Sequence, residues 1–230
     1  MMDWSCERTG TVSKKLTEQL RRILTFNGVQ EEDEKARQLE AYIELMEKNR
    51  DWAKLTSRGI SRDYAAVLAD SLAVVVVGGC DQVMRVADIG AGGGLLGMVC
   101  AIACPRWQVT LIESSSRKAA FLVEAAGSLD LGNVVVANER AESLATGEAY
   151  DIVVSRAAGR LADLAPIALG LLVKGGRYIV LKASDAEEET DRAAGSLAAA
   201  SGRLVETIQA QYPPALAVKN RASLVVIEKL

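Results

Sequence analysis

The clearest chemical signal in the sequence is a glycine-rich stretch that follows an acidic residue. It reads Asp88-Ile89-Gly90-Ala91-Gly92-Gly93-Gly94. Glycine takes positive φ without strain and carries no Cβ, so a loop of this kind lets the backbone approach a ligand closely, ahead of a helix N-terminus. Two cofactor interpretations fit it. In the first, residues 92–97 match the G-x-G-x-x-G of a dinucleotide site, and Glu113 stands 25 residues after Asp88, where a ribose-binding acid is expected.

The second interpretation takes the pattern as Asp-x-Gly-x-Gly-x-Gly, which resembles motif I of S-adenosylmethionine-dependent methyltransferases. In that pattern Gly90 and Gly92 pass close to the methionine part of the cofactor, and Asp88 and Ala91 complete the loop. Glu113 then accepts hydrogen bonds from both ribose hydroxyls, because a carboxylate offers two parallel acceptors. The loop by itself is compatible with either cofactor.

Further polar residues follow the next predicted strands. Arg140-Ala141-Glu142 comes after the third strand, where a backbone amide and an acceptor can meet an adenine amine. Arg156 closes the fourth strand, and its planar guanidinium suits a cofactor carboxylate or an RNA phosphate. Lys182 closes the fifth strand. Because the carboxyl ends of parallel strands share one edge of a sheet, we expect these residues to lie on one rim.

Short apolar runs that alternate with longer amphipathic segments position these residues. The predicted strands are 84–89, 109–112, 134–137, 152–154, 178–181, 204–209 and 223–228, and helices are predicted at 95–103, 116–129, 161–172 and 186–200. This alternation predicts a parallel sheet covered by helices. The last two strands are joined through Pro213-Pro214 without a helix, which predicts an antiparallel last strand. That strand, Asp88 and Arg140-Ala141-Glu142 favour the methyltransferase over a dinucleotide oxidoreductase.

Apolar residues at helical spacing precede the sheet, over 12–62 and again over 62–77. We therefore predict an N-terminal helical region over 1–62 and a methyltransferase domain over 63–230. Two basic patches of the helical region are candidates for RNA phosphate contacts, namely Lys14, Lys15, Arg21, Arg22 and Arg50, Lys54, Arg58, Arg62. The acidic run Glu187-Glu188-Glu189 is predicted to be a solvated helix start.

Composition excludes several kinds of chemistry. The 230 residues include no histidine, which removes histidine-ligated metals, Ser/His and Cys/His nucleophile pairs, and histidine acid–base catalysis; no metal is expected. The four cysteines lack C-x-x-C spacing and are predicted to be buried thiols. Without a signal sequence or a membrane-spanning run, a cytoplasmic protein is expected. The net charge of −3 provides no general positive field for nucleic acid.

Short sequences spread over nearly the whole chain point to one family. They are Asp88-Ile89-Gly90-Ala91-Gly92, Arg140-Ala141-Glu142, Ser155-Arg156-Ala157, Leu181-Lys182-Ala183, Ala186-Glu187-Glu188-Glu189, Leu224-Val225-Val226-Ile227-Glu228-Lys229, residues 49–56 and Ala69-Asp70-Ser71-Leu72. Together they resemble the ribosomal small-subunit RNA guanine-N7 methyltransferase G family, also called glucose-inhibited division protein B. The chain departs from the family's usual residues at Leu96, in place of proline, and at Ala66 and Val67, in place of a basic residue and a histidine.

The resemblance implies an α/β, class I S-adenosylmethionine-dependent methyltransferase fold. This fold is Rossmann-like, with a mostly parallel seven-stranded sheet, an antiparallel last strand and here a small N-terminal helical extension. The resemblance also implies methyl transfer to N7 of a guanosine, with 16S rRNA or the small ribosomal subunit as partner. We expect a monomer without a DNA or membrane partner. Carried over position by position, Gly90, Leu95, Ala141, Glu142 and Arg156 would line the cofactor site.

Guanine N7 has an exposed lone pair and no proton, so its attack on the sulfonium methyl needs no general base and positioning can supply most of the catalysis. We therefore expect Arg156 and Lys182 to orient cofactor and RNA. Asp70 would stabilise the cationic product or bind the guanine edge, or it is a helix-face acid. Two other functions remain open, a methyltransferase of the same fold that acts on a protein or small molecule, and a non-catalytic ribosome-assembly factor.

Overall fold

The computed structural model describes residues 14–55, 64–144, 147, 149–156, 158–182, 186–216, 218 and 221–230. Its strands are β1 Met84–Ile89, β2 Trp107–Ile112, β3 Val134–Ala137, β4 Tyr150–Arg156, β5 Leu172–Lys182, β6 Gly202–Gln209 and β7 Ser223–Lys229. Its helices are α1 Lys14–Phe26, α2 Glu32–Ala53, α3 Tyr64–Gly78, α4 Gly97–Ala103, α5 Ser116–Ser128, α6 Ala141–Leu144, α7 Leu161–Leu171 and α8 Ala186–Ala199.

The described strands form one seven-stranded sheet in the order β3-β2-β1-β4-β5-β7-β6. Strands β1 to β5 are parallel to one another, and β7 runs antiparallel to both β5 and β6, as the sequence predicts. Strand β1 pairs with β2 on one side and with β4 on the other. The strand order therefore reverses at β1, and in such sheets ligands bind at the carboxyl ends of the strands beside this reversal. We call this the site edge.

Helices cover both faces of the sheet. Helices α1 to α5 share one apolar core with β-strand residues such as Val86, whereas α7 and α8 pack on the opposite face with residues such as Ala87. Successive side chains of a strand point to opposite faces, so neighbouring residues of β1 enter different cores. The last four residues of β1, 86–89, are buried, and three of them are apolar, which is why this strand was predictable from its sequence.

The N-terminal helices belong to the larger of these two cores. Leu20 and Leu24 of α1 and Leu39 of α2 are fully buried in the same cluster as Val99 of α4 and Leu122 of α5. The apolar core thus continues from the region predicted as 1–62 into the region predicted as 63–230. The proposed boundary itself lies in 56–63, outside the described residues, and the two-region division stays a prediction.

The cysteine prediction is wrong for one pair. Cys80, two residues after α3, forms a disulfide with Cys104, which ends α4, at a Cα–Cα distance of 5.3 Å. The two helices pack against each other and bring these cysteines together, although 24 residues separate them in the chain. Cys100 is a buried thiol as predicted, and burial raises its pKa. Cys6 lies outside the described residues.

Two elements differ from the sequence prediction. Strand β5 starts at Leu172, well before the predicted residue 178, and its pairing with β4 changes register after Tyr150. Gly175 within this stretch has a φ of +77°, so the glycines that interrupt the apolar pattern produce an irregularity within the strand. The short helix α6 was not predicted. Among the helices described, none has the length and apolar character needed to cross a membrane.

Candidate active site

The glycine-rich loop turns sharply as it leaves β1. Gly90, Gly92 and Gly94 have φ values of +68°, +61° and +79°, which favour glycine. The amides of Gly90 and Ala91 both donate to the carbonyl oxygen of Ile112 at the end of β2, at 2.9 and 3.1 Å. The loop is therefore folded back across the site edge, with Gly90 exposed and Gly92 partly exposed.

Asp88 anchors the helix that follows the loop. It is buried, and its Oδ2 accepts a hydrogen bond of 2.8 Å from the amide of Gly97 in the first turn of α4. Burial raises the pKa of Asp88 from 3.8 to about 7; the Gly97 amide lowers it, the Glu113 charge raises it and the Arg156 charge lowers it. Asp88 therefore links the end of β1 to the start of α4 and so fixes the geometry of the glycine loop between them.

Glu113 follows β2 and connects two parts of the site edge. Its Oε2 accepts the amide of Gly92 at 2.8 Å, and its Oε1 accepts the amide of Ser115 at 2.7 Å. Asn138 donates to the Glu113 backbone carbonyl at 2.8 Å. Each carboxylate oxygen has a further lone pair, so both can still accept a hydroxyl from a ribose. The carboxylate that was predicted to bind ribose is thus held directly beside the glycine loop.

Leu95, Ala141 and Glu142 occupy different environments. Leu95 is buried, and its carbonyl oxygen accepts a hydrogen bond of 2.6 Å from the Ser71 hydroxyl of α3. Ala141 is buried at the start of α6, whereas Glu142 beside it is exposed. The neighbouring Leu96, which replaces the family's usual proline, is buried in front of α4.

Arg156 and Asp70, predicted separately, are in contact. Nη2 of Arg156 lies 3.2 Å from Oδ2 of Asp70, and Nη1 donates to the Val67 carbonyl of α3 at 3.1 Å. Tyr212, which the sequence interpretation missed, donates its hydroxyl to Oδ1 of Asp70 at 2.6 Å and accepts the amide of Ala222 at 2.9 Å. Burial lowers the pKa of Arg156, whereas the Asp70 charge raises it.

Lys182 does not stand open on the rim. Its Nζ lies 2.7 Å from Oε1 of Glu189 in α8 and 3.0 Å from the carbonyl of Gly159, and the lysine is 9% exposed. The same oxygen of Glu189 accepts the amide of Leu161 at 2.6 Å. Glu189 is therefore a paired and mostly buried carboxylate, and the prediction that the acidic run is solvated is wrong at this residue.

Helix α2 and Leu55, which follows it, contact the glycine loop. Tyr42 of α2 donates its buried hydroxyl to the carbonyl oxygen of Gly93. The side chains of Met46 and Leu55 lie next to the same residue, at 3.3 and 3.7 Å from the position a Gly93 Cβ would take. This contact was not predicted, since α2 and the loop were expected to belong to different regions.

The predicted basic patches are partly paired within the chain. Arg21 contacts Asp33 at 2.6 Å and Arg22 contacts Glu18 at 2.9 Å, both on exposed surfaces. Arg58 and Arg62 lie outside the described residues. Within the described part of the chain, no group of three or more Cys, Asp or Glu side chains could hold a metal ion.

A glycine loop after β1, a carboxylate after β2 and this strand order define the fold of the class I S-adenosylmethionine-dependent methyltransferases. The fold is similar to that of M. jannaschii TYW2 in complex with AdoMet, with a TM-score of 0.58 and 13% identity over 75% of this chain and 80% of that one. It is also similar to a SAM-dependent methyltransferase from Aquifex aeolicus, with a TM-score of 0.56 and 15% identity over 72% and 93% of the two chains.

Sequence comparison gives the family. The family profile of rRNA small subunit methyltransferase G matches residues 35–213. Two relatives named ribosomal RNA small subunit methyltransferase G are similar over most of their length. That of Staphylococcus saprophyticus is 31% identical over 83% of this chain and 81% of its own, and that of Cellvibrio japonicus is 35% identical over 87% and 90%. The chain belongs to this family, so the predicted family, fold, cofactor and enzyme class are confirmed.

Proposed function

We propose that this protein transfers the methyl group of S-adenosylmethionine to N7 of a guanosine in 16S rRNA, with the small ribosomal subunit as its substrate. The observation that carries the proposal is the pairing of Glu113 with the glycine loop at the site edge, in a chain whose relatives are named for small-subunit rRNA methylation. We further propose that the protein acts as a monomer in the cytoplasm, without a membrane or DNA partner.

The described residues fit the cofactor. Among them, a Cβ placed on Gly92 would find one heavy atom within 4 Å, the Gly90 carbonyl oxygen at 3.7 Å, so this backbone faces space that a ligand can fill. Gly90, Ala91 and Gly92 would hold the methionine part, with Asp88 and Leu95 shaping the turn. Glu113 would bind the ribose hydroxyls, and Ala141 with Glu142 would meet the adenine.

The bound cofactor supplies an electrophilic methyl group on a positively charged sulfur. The residues of this chain have no proton to remove, because guanine N7 carries none, and their contribution is to hold the acceptor in line with the methyl. Arg156 lies next to the glycine loop, since Ser155, which precedes it, pairs with Ile89, which precedes Gly90, and Asp70 contacts Arg156. We assign to this pair the orientation of cofactor and acceptor. Lys182 would act indirectly, by fixing the positions of Gly159 and Glu189 through its hydrogen bonds to them.

The test is transfer of labelled methyl from S-adenosylmethionine into small subunits, and into deproteinised 16S rRNA, from cells that lack this gene. Label on one guanosine N7, mainly in the assembled subunit, is the expected result. Label on another base or on a ribosomal protein would refute the N7 assignment and favour a different acceptor. Cofactor binding without transfer to either substrate would favour the non-catalytic assembly factor.

A paired set of variants links the activity to the site. Glu113→Gln replaces one acceptor oxygen with an amide group that opposes the amide of Gly92 or Ser115. We expect the dissociation constant for S-adenosylmethionine to rise about tenfold or more. Glu139→Gln changes an exposed acid between β3 and α6 and is the matched control. Equal cofactor affinity in the two variants would refute the ribose role of Glu113.

A further inference from the structure

Tyr212 lies in the segment between β6 and β7 and is tied to two distant parts of the chain. Its hydroxyl accepts the amide of Ala222 at 2.9 Å, which closes the segment on itself. The same hydroxyl donates to Oδ1 of Asp70 in α3 at 2.6 Å, across 142 residues of sequence. Tyr212 is 9% exposed, and the Arg221 guanidinium lies 5.9 Å from the centre of its ring. The phenol is therefore buried, and its hydroxyl is hydrogen-bonded to both Asp70 and Ala222.

The contact continues from Asp70 to the site edge. The second carboxylate oxygen of Asp70 accepts from Arg156 at 3.2 Å, and Arg156 also donates to the carbonyl of Val67 at 3.1 Å. Hydrogen bonds to a carboxylate from a phenol and a guanidinium are stronger than those between neutral groups. The orientation of Asp70 is thus fixed from two sides, and Arg156 depends on that orientation for its contact with the carboxylate.

The network lies beside the glycine loop, since Ser155, which precedes Arg156, pairs with Ile89, which precedes Gly90. The Arg156 guanidinium lowers the pKa of Asp88, the acid beneath the glycine loop. Burial raises the pKa of Tyr212, and its hydrogen bond to Asp70 raises it further, so the phenol keeps its proton and remains a donor at neutral pH. Tyr212 therefore connects its segment to Asp70, and through Asp70 to Arg156, with a hydroxyl that stays protonated at neutral pH.

We propose that Tyr212 is a positioning residue for methyl transfer: its hydroxyl holds Asp70 and the segment between β6 and β7 so that Arg156 keeps its place beside the glycine loop. This inference rests on the proposed function. Tyr212 touches neither cofactor nor guanosine in this scheme and acts through Asp70. We therefore expect loss of the Tyr212 hydroxyl to lower the rate of methyl transfer, because a misplaced orienting group slows the reaction even when the cofactor still binds.

The test compares Tyr212→Phe with wild type and with Tyr150→Phe. The first variant removes the bridging hydroxyl and keeps the ring beside Arg221. The control removes the phenol hydroxyl of Tyr150, which begins β4 at the end away from Arg156. We expect Tyr212→Phe to lower kcat on small subunits about tenfold or more, with the dissociation constant for S-adenosylmethionine within about twofold of wild type. We expect Tyr150→Phe to match wild type in both. An unchanged kcat, or equal losses of cofactor binding and rate, would overturn the proposal.

A double-variant cycle with Asp70→Ala separates positioning from a general loss of structure. If Tyr212 acts through Asp70, the double variant turns over no more slowly than Asp70→Ala alone, because that variant leaves no side-chain oxygen to accept the Tyr212 hydroxyl. Rate losses that multiply would show that Tyr212 acts elsewhere and would overturn the inference. If the wild-type protein transfers no methyl, the proposed function and the inference are both overturned. If the wild type is active and Tyr212→Phe has the same kcat, only the inference is rejected.

Discussion

Asp88 is expected to make the stability of the cofactor-free protein depend on pH in a way that one substitution removes. Burial raises the pKa of this carboxyl from 3.8 to about 7 in the folded protein. Between about pH 4 and pH 7 the folded state therefore keeps a proton that the unfolded chain has lost. A state that binds more protons is stabilised by low pH, so this contribution is fully present below the unfolded pKa and is lost as the pH rises through the folded one.

The size of the effect follows from the two pKa values. Three pH units correspond to a total of about 4 kcal/mol, at about 1.4 kcal/mol for each unit. Between pH 5 and pH 7 the free energy of unfolding should fall by about 2 kcal/mol through Asp88 alone, because the folded carboxyl is half ionised at the upper limit. Asp88→Asn keeps an oxygen to accept the Gly97 amide and cannot ionise, so this part of the pH dependence should disappear.

The measurement is urea unfolding of wild type and Asp88→Asn at pH 5, 6 and 7, in the absence of cofactor. Other titrating groups contribute equally to both proteins, so the difference between the two curves isolates Asp88. The reasoning is refuted if the two free energies of unfolding run parallel over this range. It is also refuted if wild type gains stability relative to Asp88→Asn as the pH rises.

Three further predictions concern packing, a buried ion pair and the disulfide. Gly94→Ala places a Cβ 2.7 Å from the Leu122 and Met98 side chains at a φ of +79°. It should lower the free energy of unfolding in urea by about 2–4 kcal/mol. A smaller loss than that of Gly132→Ala, where a Cβ meets open space, would contradict this. Lys182→Met leaves Glu189 without its cation and should destabilise by about 2–4 kcal/mol. Adding Glu189→Gln, which removes the charge but keeps an oxygen for the Leu161 amide, should largely reverse this effect; lost activity at unchanged stability would show instead that Lys182 acts directly. Reduction of Cys80–Cys104 frees a loop with a sequence separation of 24 and should lower stability by about 3 kcal/mol, while a Cys80→Ser, Cys104→Ser protein should not respond to reductant.

The parts of the molecule that depend on local pattern were predictable. Strand β1 lies at the predicted residues because its apolar run is buried on both faces, and β7 was expected to be antiparallel because no helix separates it from β6. The glycine loop and Glu113 were found from spacing within one strand–helix–strand unit. Their contact, the Gly92 amide on the Glu113 carboxylate, spans 21 residues that this unit brings together.

The parts that depend on distant contacts were not predictable. Tyr212 reaches Asp70 across 142 residues, and Tyr42 reaches Gly93 across 51. No periodicity in either segment encodes these partners, because each contact is created by the packing of whole elements. The disulfide arises in the same way from the packing of α3 on α4. An aromatic residue directly before Pro213-Pro214, ahead of the last strand, was the available signal for Tyr212.

The reversed direction of β7 has a practical consequence for experiments on ribosomal particles. Ser223, the first residue of β7, pairs with Lys182 at the site edge, and Glu228 pairs with Arg177 in the middle of β5. A strand of seven residues spans about 20 Å, so Leu230, which is 55% exposed, lies on the far side of the sheet from the cofactor loop. A linker attached to Leu230 would tether the protein to a sensor chip with the site edge pointing into solution.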